Sequence, residues 1–353
     1  MRKSIGALAV LAALSALAGG CSRPSVQVRT ADGLIEAIAP GRVIELMPGE
    51  YDLSSVKQRR TEHVRWVKVH DGYGIEIHGV EDLALVGPLD QTAKLLATPR
   101  YAYVLTLRNV RNVTLANVVL GHATKGFCTG GVVAIDDARG VDLIGCDLYG
   151  CGTEGLTLRN VRDFVLRDSV LRDCTYGIMT AEGCKRLELK NSRFTKNREY
   201  HGFVLSDSRD VVIDTCGIEG NVIRGVSEGE SVLFAATSCS NVEVRNCVIE
   251  NNVYRRLMAP DDSVELDGNK IVANRAPPAP KEATSGKPVP SADRPGEYVV
   301  RAGDAGFWAI AEKVYGNGRY WPLIAKANPG VDANALRPGQ KLIIPPPPKK
   351  AEK

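Results

Sequence analysis

Seven polar residues recur just before segments in which apolar and polar positions alternate, and they are the strongest candidates for chemistry in this sequence. The seven are Lys125, Glu154, Tyr176, His201, Arg224, Glu228 and Glu230. If the segments are neighbouring strands, the row lines one edge and can grip an acidic or neutral sugar. Cleavage by elimination needs a base and a group that neutralises a uronate. His201 or Tyr176 can be the base, Arg224 the neutraliser, and Glu154 a further catalytic candidate. A solvated turn edge is the alternative, and we favour it.

Other residues give weaker signals for chemistry. Asp136, Asp137 and the turn Tyr200-His201-Gly202 partly resemble elements of family-28-type glycoside hydrolases, but the Asn-Thr-Asp element of that family is absent. His63, His70 and His78 alternate at a spacing that indicates no metal site. No Cys-x-x-Cys pair supports zinc. The sequence therefore predicts neither a metal nor another cofactor, and a net charge of +4 is too small to indicate nucleic-acid binding.

An internal repeat must position these residues. Short alternating segments recur at intervals of 23 to 31 residues. Their anchor residues are Leu83, Val113, Val141, Phe164, Leu187, Val211 and Val242. Alternation predicts strands with one buried face, and segments this close together, without crossover helices, predict stacked parallel coils. A composition with 35 Gly and 6% aromatic residues agrees with turn-rich β structure.

This repeat resembles the right-handed parallel β-helices of the pectate-lyase-like superfamily, over about residues 25–273. The expected fold class is mainly β, with the β-helix followed by a small α+β domain. The resemblance implies a carbohydrate cleft on strands near Val133, Leu156, Ile178, Phe203 and Val232. The outward residues of these strands would be Ala134, Thr157, Met179, Val204 and Leu233. That surface is mostly apolar and offers no carboxylate pair, and the scaffold alone specifies no activity.

Stacked coils also explain two columns of polar residues and cysteines. One column is Cys151, Cys174, Asn197, Asn221 and Asn252, and the other is Cys146, Ser169, Ser192, Cys216 and Cys247. We interpret both as interior packing columns in which amides hydrogen-bond from coil to coil. Disulfide bonds between neighbouring cysteines remain an alternative, because the expected compartment is oxidising. Parallel side chains on stacked coils fit disulfide geometry poorly, however, which favours free thiols.

The ends of the β-helix show separate signals. Thr30 can cap a short amphipathic helix at residues 31–39 that covers the first coil. Residues 274–296 are rich in Pro, Ala, Lys and Ser, which is typical of a linker. Residues 347–353 are predicted to be a disordered tail.

Residues 297–346 resemble a LysM domain through landmarks in a fixed order. The landmarks are Gly303-Asp304, the helical run from Trp308, Tyr315-Gly316, Ala327-Asn328-Pro329 and the segment from Leu336 to Pro345. The pattern predicts a strand, two short helices and a strand. The resemblance implies binding of the N-acetylglucosamine-containing glycan of peptidoglycan. The expected glycan-binding positions are Gly303, Asp304, Ala305, Gly306, Asn328, Pro329 and Gly330, where backbone groups and small residues would face the sugar.

Residues 1–21 have the organisation of a targeting segment. Met1-Arg-Lys precedes an apolar run, Ile5 to Leu17, that is too short for a comfortable membrane span. The following Ala18-Gly19-Gly20-Cys21 resembles a bacterial lipobox, which implies lipidation of Cys21. An ordinary signal peptide is the alternative. Ser22, where Asp would favour inner-membrane retention, indicates the outer membrane facing the periplasm.

These signals predict a lipid-anchored protein of the bacterial cell envelope. Its C-terminal domain would bind peptidoglycan, and its β-helix would present a face for a second polysaccharide or an envelope protein. Two alternatives stay open. One is a polysaccharide lyase or glycoside hydrolase that uses the polar row, and the other is a structural tether between membrane and wall that needs no second ligand.

Overall fold

In the computed structural model of the chain, the repeated segments form the rungs of three sheets. The strands of these sheets pair parallel, except that Val64–Val69 and Gly72–His78 pair antiparallel. The structure describes residues 23–123, 130–150, 154–199, 201–224, 231–259, 264–277, 296–301, 304, 306–315, 320–329, 331 and 336–346. These residues fall into two compact units, which divide between Pro277 and Pro278. The predicted targeting segment with Cys21 and the predicted tail lie outside the described residues, as does most of the predicted linker.

The first unit is built from sheets that we name A, B and C. Sheet A contains Ser25–Val28, Val43–Leu46, Ala84–Val86, Arg111–Ala116, Arg139–Ile144, Arg162–Arg167, Lys185–Lys190, Arg209–Asp214, Ser240–Arg245 and Val264–Asp267. Sheet B contains Gly49–Asp52, Ala93–Ala97, Val119–His122, Asp147–Tyr149, Val170–Arg172, Arg193–Thr195, Gly217–Glu219, Val248–Glu250 and Lys270–Val272. Sheet C contains Val64–Val69, Gly72–His78, Leu105–Arg108, Val133–Asp136, Glu154–Arg159, Gly177–Glu182, His201–Ser206, Val232–Thr237 and Arg256–Met258. Arg198–Glu199 and Val222–Ile223 form a short extra pair.

The anchor residues of the repeat line the interior of sheet A. Val141 lies opposite Phe164, Phe164 opposite Leu187, and Leu187 opposite Val211. All four are fully buried. One coil therefore stacks its apolar side chains directly on those of the next, and the predicted fold class is confirmed.

Left-handed backbone makes the corners between the sheets. One corner column follows sheet A and includes Asn117 (φ 55°), Asp168 (φ 53°), Asn191 (φ 47°) and Asn246 (φ 54°). Asn and Asp adopt this conformation more readily than other residues with a side chain, because their short polar groups hydrogen-bond locally. The recurrent Asn and Asp of the repeat therefore turn the chain at the end of each strand.

The two predicted interior columns are present as coil-to-coil hydrogen bonds. The Asn221 Oδ1 atom accepts hydrogen bonds from the backbone N–H and the Nδ2 of Asn197, both at 3.0 Å. The Asn252 Oδ1 atom accepts from the same two groups of Asn221, both at 2.9 Å. In the second column the backbone N–H of Cys146 donates to the Ser169 Oγ at 3.0 Å. Asn197, Asn221 and Asn252 are fully buried. The amides therefore satisfy backbone groups that parallel strands leave open at the turns.

Five buried cysteines within the described residues are free thiols. They are Cys146, Cys174, Cys184, Cys216 and Cys247. Burial raises the pKa of Cys146 to about 12 and also raises that of Cys174. Buried thiols of this kind are poor nucleophiles, so these two positions serve packing. Cys128 and Cys151 lie outside the described residues.

A short helix, Ala31–Ala37, covers the first coil and buries Leu34 and Ile35. The Thr30 Oγ1 accepts from the Gly33 N–H at 3.1 Å, as expected for an N-cap. The helix is two residues shorter than predicted, because Ile38 already has an extended backbone (φ −65°, ψ 112°). Ala39, which directly precedes Pro40, also disfavours the helical conformation. A single 3₁₀ turn, Leu53–Ser55, follows the first strand of sheet B.

The second unit contains Gly296–Val299, the helices Phe307–Tyr315 and Trp321–Ala327, and Lys341–Ile344. Its two strands pair antiparallel, with Gly296 opposite Ile344. Phe307 and Ile310 of the first helix and Ile324 of the second are buried. The predicted order of strand, two helices and strand is confirmed. Within the described part of the whole chain, no helix is long and apolar enough to span a membrane.

His122 places a titratable ring inside the β-helix. The ring is 4% exposed, its Nε2 donates to the Ala102 carbonyl at 3.0 Å, and its Nδ1 has no partner among the described residues. Burial lowers the pKa of His122 below its ordinary 6.5, although the charge of Asp71 opposes this. The folded state therefore favours the neutral ring, and protonation favours unfolding.

We expect acid to weaken the β-helix through His122. The stability contributed by the neutral ring is fully present above about pH 6.5, the unfolded value, and falls as the pH drops towards the lower folded value, by about 1.4 kcal/mol per pH unit. Urea unfolding at about pH 7.5 and about pH 5 measures this loss. His122→Gln keeps a donor for Ala102 and cannot titrate, so its loss between the same two pH values should be smaller. Equal losses in both proteins would assign the effect to other groups.

Candidate functional site

Glu154 and His201 meet on sheet C, although a whole coil lies between them. Glu154 lies opposite Gly177, and Gly177 lies opposite His201. A Cβ atom at Gly177 would stand 2.2 Å from the His201 Cε1. Because Gly177 has no side chain, the imidazole crosses that coil and brings its Nε2 to 3.7 Å from the Glu154 Oε1. The His201 Nδ1 is buried and has no partner among the described residues.

Two hydroxyls bind the Glu154 carboxylate, and a third hydroxyl binds one of these two. Its Oε2 accepts from the Thr157 Oγ1 at 2.6 Å and from the Thr180 Oγ1 at 2.7 Å. Because Thr157 gives its proton to Glu154, it must accept from the Tyr103 hydroxyl, which lies 3.0 Å away. Burial, together with the charge of Glu154, raises the pKa of Tyr103 to about 12. The phenol therefore stays a donor, and the cluster presents one carboxylate oxygen and one imidazole edge.

A second polar ladder follows the same sheet towards the hairpin Val64–Val69 and Gly72–His78. Asp136 lies between Arg108 and Arg159, each with a guanidinium nitrogen 2.7 Å from its carboxylate. Arg108 also reaches Glu76, at 2.8 Å. The side chain of Asp136 is 3% exposed, so both arginines are needed to offset its burial. This ladder is a network of ion pairs that joins four successive strands of sheet C.

Asp136 and Asp137, which partly resemble the paired aspartates of family-28-type glycoside hydrolases, have separate roles in the structure. Asp137 is a corner residue with φ 51°, and its carboxylate accepts from the Asn160 Nδ2 at 3.0 Å. Asp136 faces the arginines of sheet C instead. Neither carboxylate is free to act with the other on one substrate.

The structure also corrects part of the polar row and of the predicted cleft. The side chain of Tyr176 is buried, with the residue 1% exposed, so it does not join the edge. Leu156 lies opposite Met179, and Phe203 opposite Phe234, so Ile178 and Val232 are not the equivalent positions. Met179 and Leu233 are therefore buried rather than outward. Thr180 and Ala235 take the outward positions beside Val204.

Of the remaining members of the row, the structure describes Arg224. Arg224 is exposed and directly follows Val222–Ile223. Lys125, Glu228 and Glu230 lie outside the described residues. The row therefore contributes one defined pair, Glu154 with His201. Sequence reasoning missed Tyr103, Thr180 and the role of Gly177, because their contacts cross between coils. Within the described residues, no group of three or more His, Cys, Asp or Glu side chains could hold a metal.

In the second unit, Asp304 and Asn328 form the frame of two loops. The Asp304 carboxylate is fully buried and accepts from the Arg301 backbone N–H at 2.6 Å, the Lys313 Nζ at 2.6 Å and the Tyr298 hydroxyl at 3.3 Å. Asn328 donates to the carbonyls of Ile324 and Ile343, at 2.8 and 2.7 Å, and accepts from the Ile343 N–H at 2.8 Å. Both side chains are thus used inside the unit, which leaves backbone groups for a ligand.

Of the other expected glycan-binding positions, Gly306 and Pro329 are described. Gly306 has φ 97°, and its carbonyl accepts from the Ile310 N–H in the first helical turn at 3.2 Å. Pro329 directly follows the frame residue Asn328 and is exposed. Gly303, Ala305 and Gly330 lie outside the described residues.

Comparisons with known proteins agree with both units. Residues 104–276 match the family model for a right handed beta helix region, and residues 298–345 match that for the LysM domain. No curated protein matches the sequence. The chain therefore contains a right-handed β-helix region and a LysM domain.

Solved structures that resemble the chain have varied activities. An alginate lyase from Paenibacillus sp. is 14% identical with a TM-score of 0.41, covering 72% of this chain and 98% of its own. A pectin methylesterase from Aspergillus niger is 14% identical with a TM-score of 0.42, covering 89% and 91%. A surface adhesin of Streptococcus pneumoniae is 11% identical with a TM-score of 0.32, covering 76% and 88%. Likenesses this low do not assign a ligand.

Proposed function

We propose that this chain, which joins a right-handed β-helix region to a LysM domain, binds the N-acetylglucosamine-containing glycan of peptidoglycan in the bacterial cell envelope. The match of residues 298–345 to the LysM domain carries the proposal. The fold of the second unit supports it, since the predicted order of two strands and two helices is the observed one.

The glycan would bind along the two loops that Asp304 and Asn328 hold. Both side chains form hydrogen bonds inside the domain. The glycan would therefore be recognised by backbone N–H and C=O groups near Gly306 and Pro329. Backbone groups held in a fixed direction suit the amide and hydroxyls of an N-acetylated sugar, because little ordering is needed on binding.

We further propose lipidation at Cys21 and a place in the outer membrane facing the periplasm. The support is the charged start, the short apolar run and the lipobox-like Ala18-Gly19-Gly20-Cys21. One end of the chain would then be held by lipid and the other by the wall, with the β-helix between the two attachment points in the sequence.

The β-helix would carry a second ligand rather than cleave one. Glu154 already accepts two threonine hydroxyls on one oxygen and lies 3.7 Å from His201 on the other. The carboxylate can accept hydrogen bonds from sugar hydroxyls, and the imidazole beside it can donate one from a ring N–H. A cleavage role would require one of these groups to exchange a proton with the substrate, and the anchoring by Thr157 and Thr180 favours a fixed binding group.

Pulldown on purified peptidoglycan sacculi tests the proposed function. A chain starting at Ser22 should co-sediment with sacculi, and one ending at Pro277 should stay in the supernatant because it lacks the LysM domain. Far-UV circular dichroism of the shorter chain checks that its β-helix is folded. If the shorter chain bound sacculi as well as the longer one, the β-helix would be the part that binds peptidoglycan, and the assignment to LysM would be wrong.

A further inference from the structure

A column of cations runs along the corner where sheet C leads into sheet A. Its members are the first residues of five successive strands of sheet A, and they lie opposite one another in register. They are Arg111, Arg139, Arg162, Lys185 and Arg209. Neighbouring strands are about 4.8 Å apart, so the column presents a cation at each coil.

The first two cations have carboxylate partners, whereas the last three do not. Arg111 pairs with Glu81 at 3.3 Å and Arg139 with Asp163 at 3.1 Å. Among the described residues, no carboxylate lies within ion-pair distance of Arg162, Lys185 or Arg209. Like charges that face each other on adjacent strands destabilise a sheet. The repulsion along this stretch is therefore left uncompensated within the described β-helix.

Two of the nearby carboxylates are engaged elsewhere, and a third lines the groove without pairing with the three cations. Asp163, next to Arg162, pairs with Arg139 and Arg186. Asp210, next to Arg209, accepts from the Asn241 Nδ2 at 3.0 Å. Asp207 faces the same groove but pairs with none of the three cations. The positive charge of the three is thus directed to solvent.

A groove of about 330 Å³ joins these three cations to hydroxyl groups. Arg162, Lys185 and Arg209 line it together with Ser208, Ser238 and Ser240. The Ser208 hydroxyl is used inside the protein, since it accepts from the Cys184 N–H and donates to the Ser206 carbonyl. Ser238 and Ser240 remain as hydroxyls beside the cations. The large exposed apolar residues of the described chain lie elsewhere, which argues against a membrane surface as the ligand.

We propose that this groove binds an acidic polysaccharide, whose chain runs along the coil stack with its oxyanions on Arg162, Lys185 and Arg209. Arginine binds planar carboxylates and phosphate- or sulfate-type oxygens with two parallel hydrogen bonds, and lysine adds a point charge. A polymer with an anion on successive sugars meets a column with a cation on successive coils, and the serine hydroxyls can bond the sugar hydroxyls. The inference rests on the proposed function in one respect, that the β-helix carries a second glycan.

Dextrans with one backbone and different substituents test the chemistry. The full chain from Ser22 should bind carboxymethyl-dextran and dextran sulfate, more tightly at low salt, and should not bind unmodified dextran. Tighter binding of either derivative identifies the preferred oxyanion. Equal binding of unmodified dextran, or binding of none of the three, would overturn the proposal.

Two triple variants separate the groove from net charge. The first variant should bind the charged dextrans at least about tenfold more weakly, because three ion contacts are lost. It combines Arg162→Gln, Lys185→Gln and Arg209→Gln. The second variant is the control, and it combines Arg193→Gln, Arg198→Gln and Lys270→Gln. It removes the same charge from exposed positions outside the groove and should change binding less than about twofold. Equal losses of affinity in both variants would mean that net charge alone causes the binding, and would overturn the proposed site. N-acetylglucosamine oligomers, which probe LysM, should bind both variants alike, so a failure of the proposed function appears separately.

Discussion

Replacement of Asn221 by alanine should be among the most damaging single changes in the β-helix, with a loss of about 3–5 kcal/mol in the free energy of unfolding. Asn221 is fully buried and makes four side-chain hydrogen bonds, two accepted from Asn197 and two donated, to the Phe194 carbonyl and the Asn252 Oδ1 at 2.8 and 2.9 Å. Alanine leaves the Asn197 backbone N–H and the Phe194 carbonyl without partners in the interior. Each such orphaned group costs about 1–3 kcal/mol.

Urea unfolding followed by far-UV circular dichroism measures this loss. Asn241→Gly is the matched control, because Asn241 is an exposed corner residue with φ 53° whose amide makes one side-chain hydrogen bond, to Asp210. Glycine accepts that backbone, so the control should change stability by less than about 0.5 kcal/mol. A loss below about 1 kcal/mol for Asn221→Ala would mean that water replaces the amide and that the ladder adds little.

The sequence was sufficient to predict which residues line the interior of sheet A. Alternation and the recurrent small and amide positions identified the row through Val141 and Phe164 and the ladder through Asn221, since both depend on local patterns that repeat from coil to coil. These are the strongest constraints in a stacked coil, because each buried side chain meets its own equivalent on the next one.

The register of sheet C was harder to predict because the turns before it differ in length. The expected cleft strands put Ile178 at the position equivalent to Leu156, whereas the structure places Met179 there. A better guide was the constant distance to the next strand. Leu156 to Phe164, Met179 to Leu187 and Phe203 to Val211 are each eight residues, and all six residues face the interior.

The candidate site on sheet C could be predicted only in part. Glu154 and His201 were identified from their places before strands, but their contact depends on the missing side chain of Gly177 between them. Tyr103 and Thr180 come from different coils, and nothing in their local sequence indicates a shared carboxylate. The cation column was equally hidden, because like charges become a surface only once the register aligns them.

Replacement of Asp304 by alanine should abolish binding to sacculi by unfolding the LysM domain, while the β-helix stays folded. The carboxylate is fully buried and accepts three hydrogen bonds, so its loss removes the charged acceptor of the Arg301 N–H and of the Tyr298 hydroxyl. We expect a cost of about 2–4 kcal/mol. Lys313 is 43% exposed, so its ion pair adds little to that figure. A domain this small has little stability to lose.

Tryptophan fluorescence of the full chain during urea unfolding, together with the sacculus pulldown, checks this expectation. Glu297→Ala is the control from the same domain, because its ion pair with Lys341 is exposed on both sides, and it should retain both folding and binding. If Asp304→Ala lost binding while the LysM transition stayed unchanged, the carboxylate itself would have to contact the glycan, and the assignment of recognition to backbone groups would be wrong. If binding and folding are lost together, Asp304 is the residue that holds the loop in its binding shape.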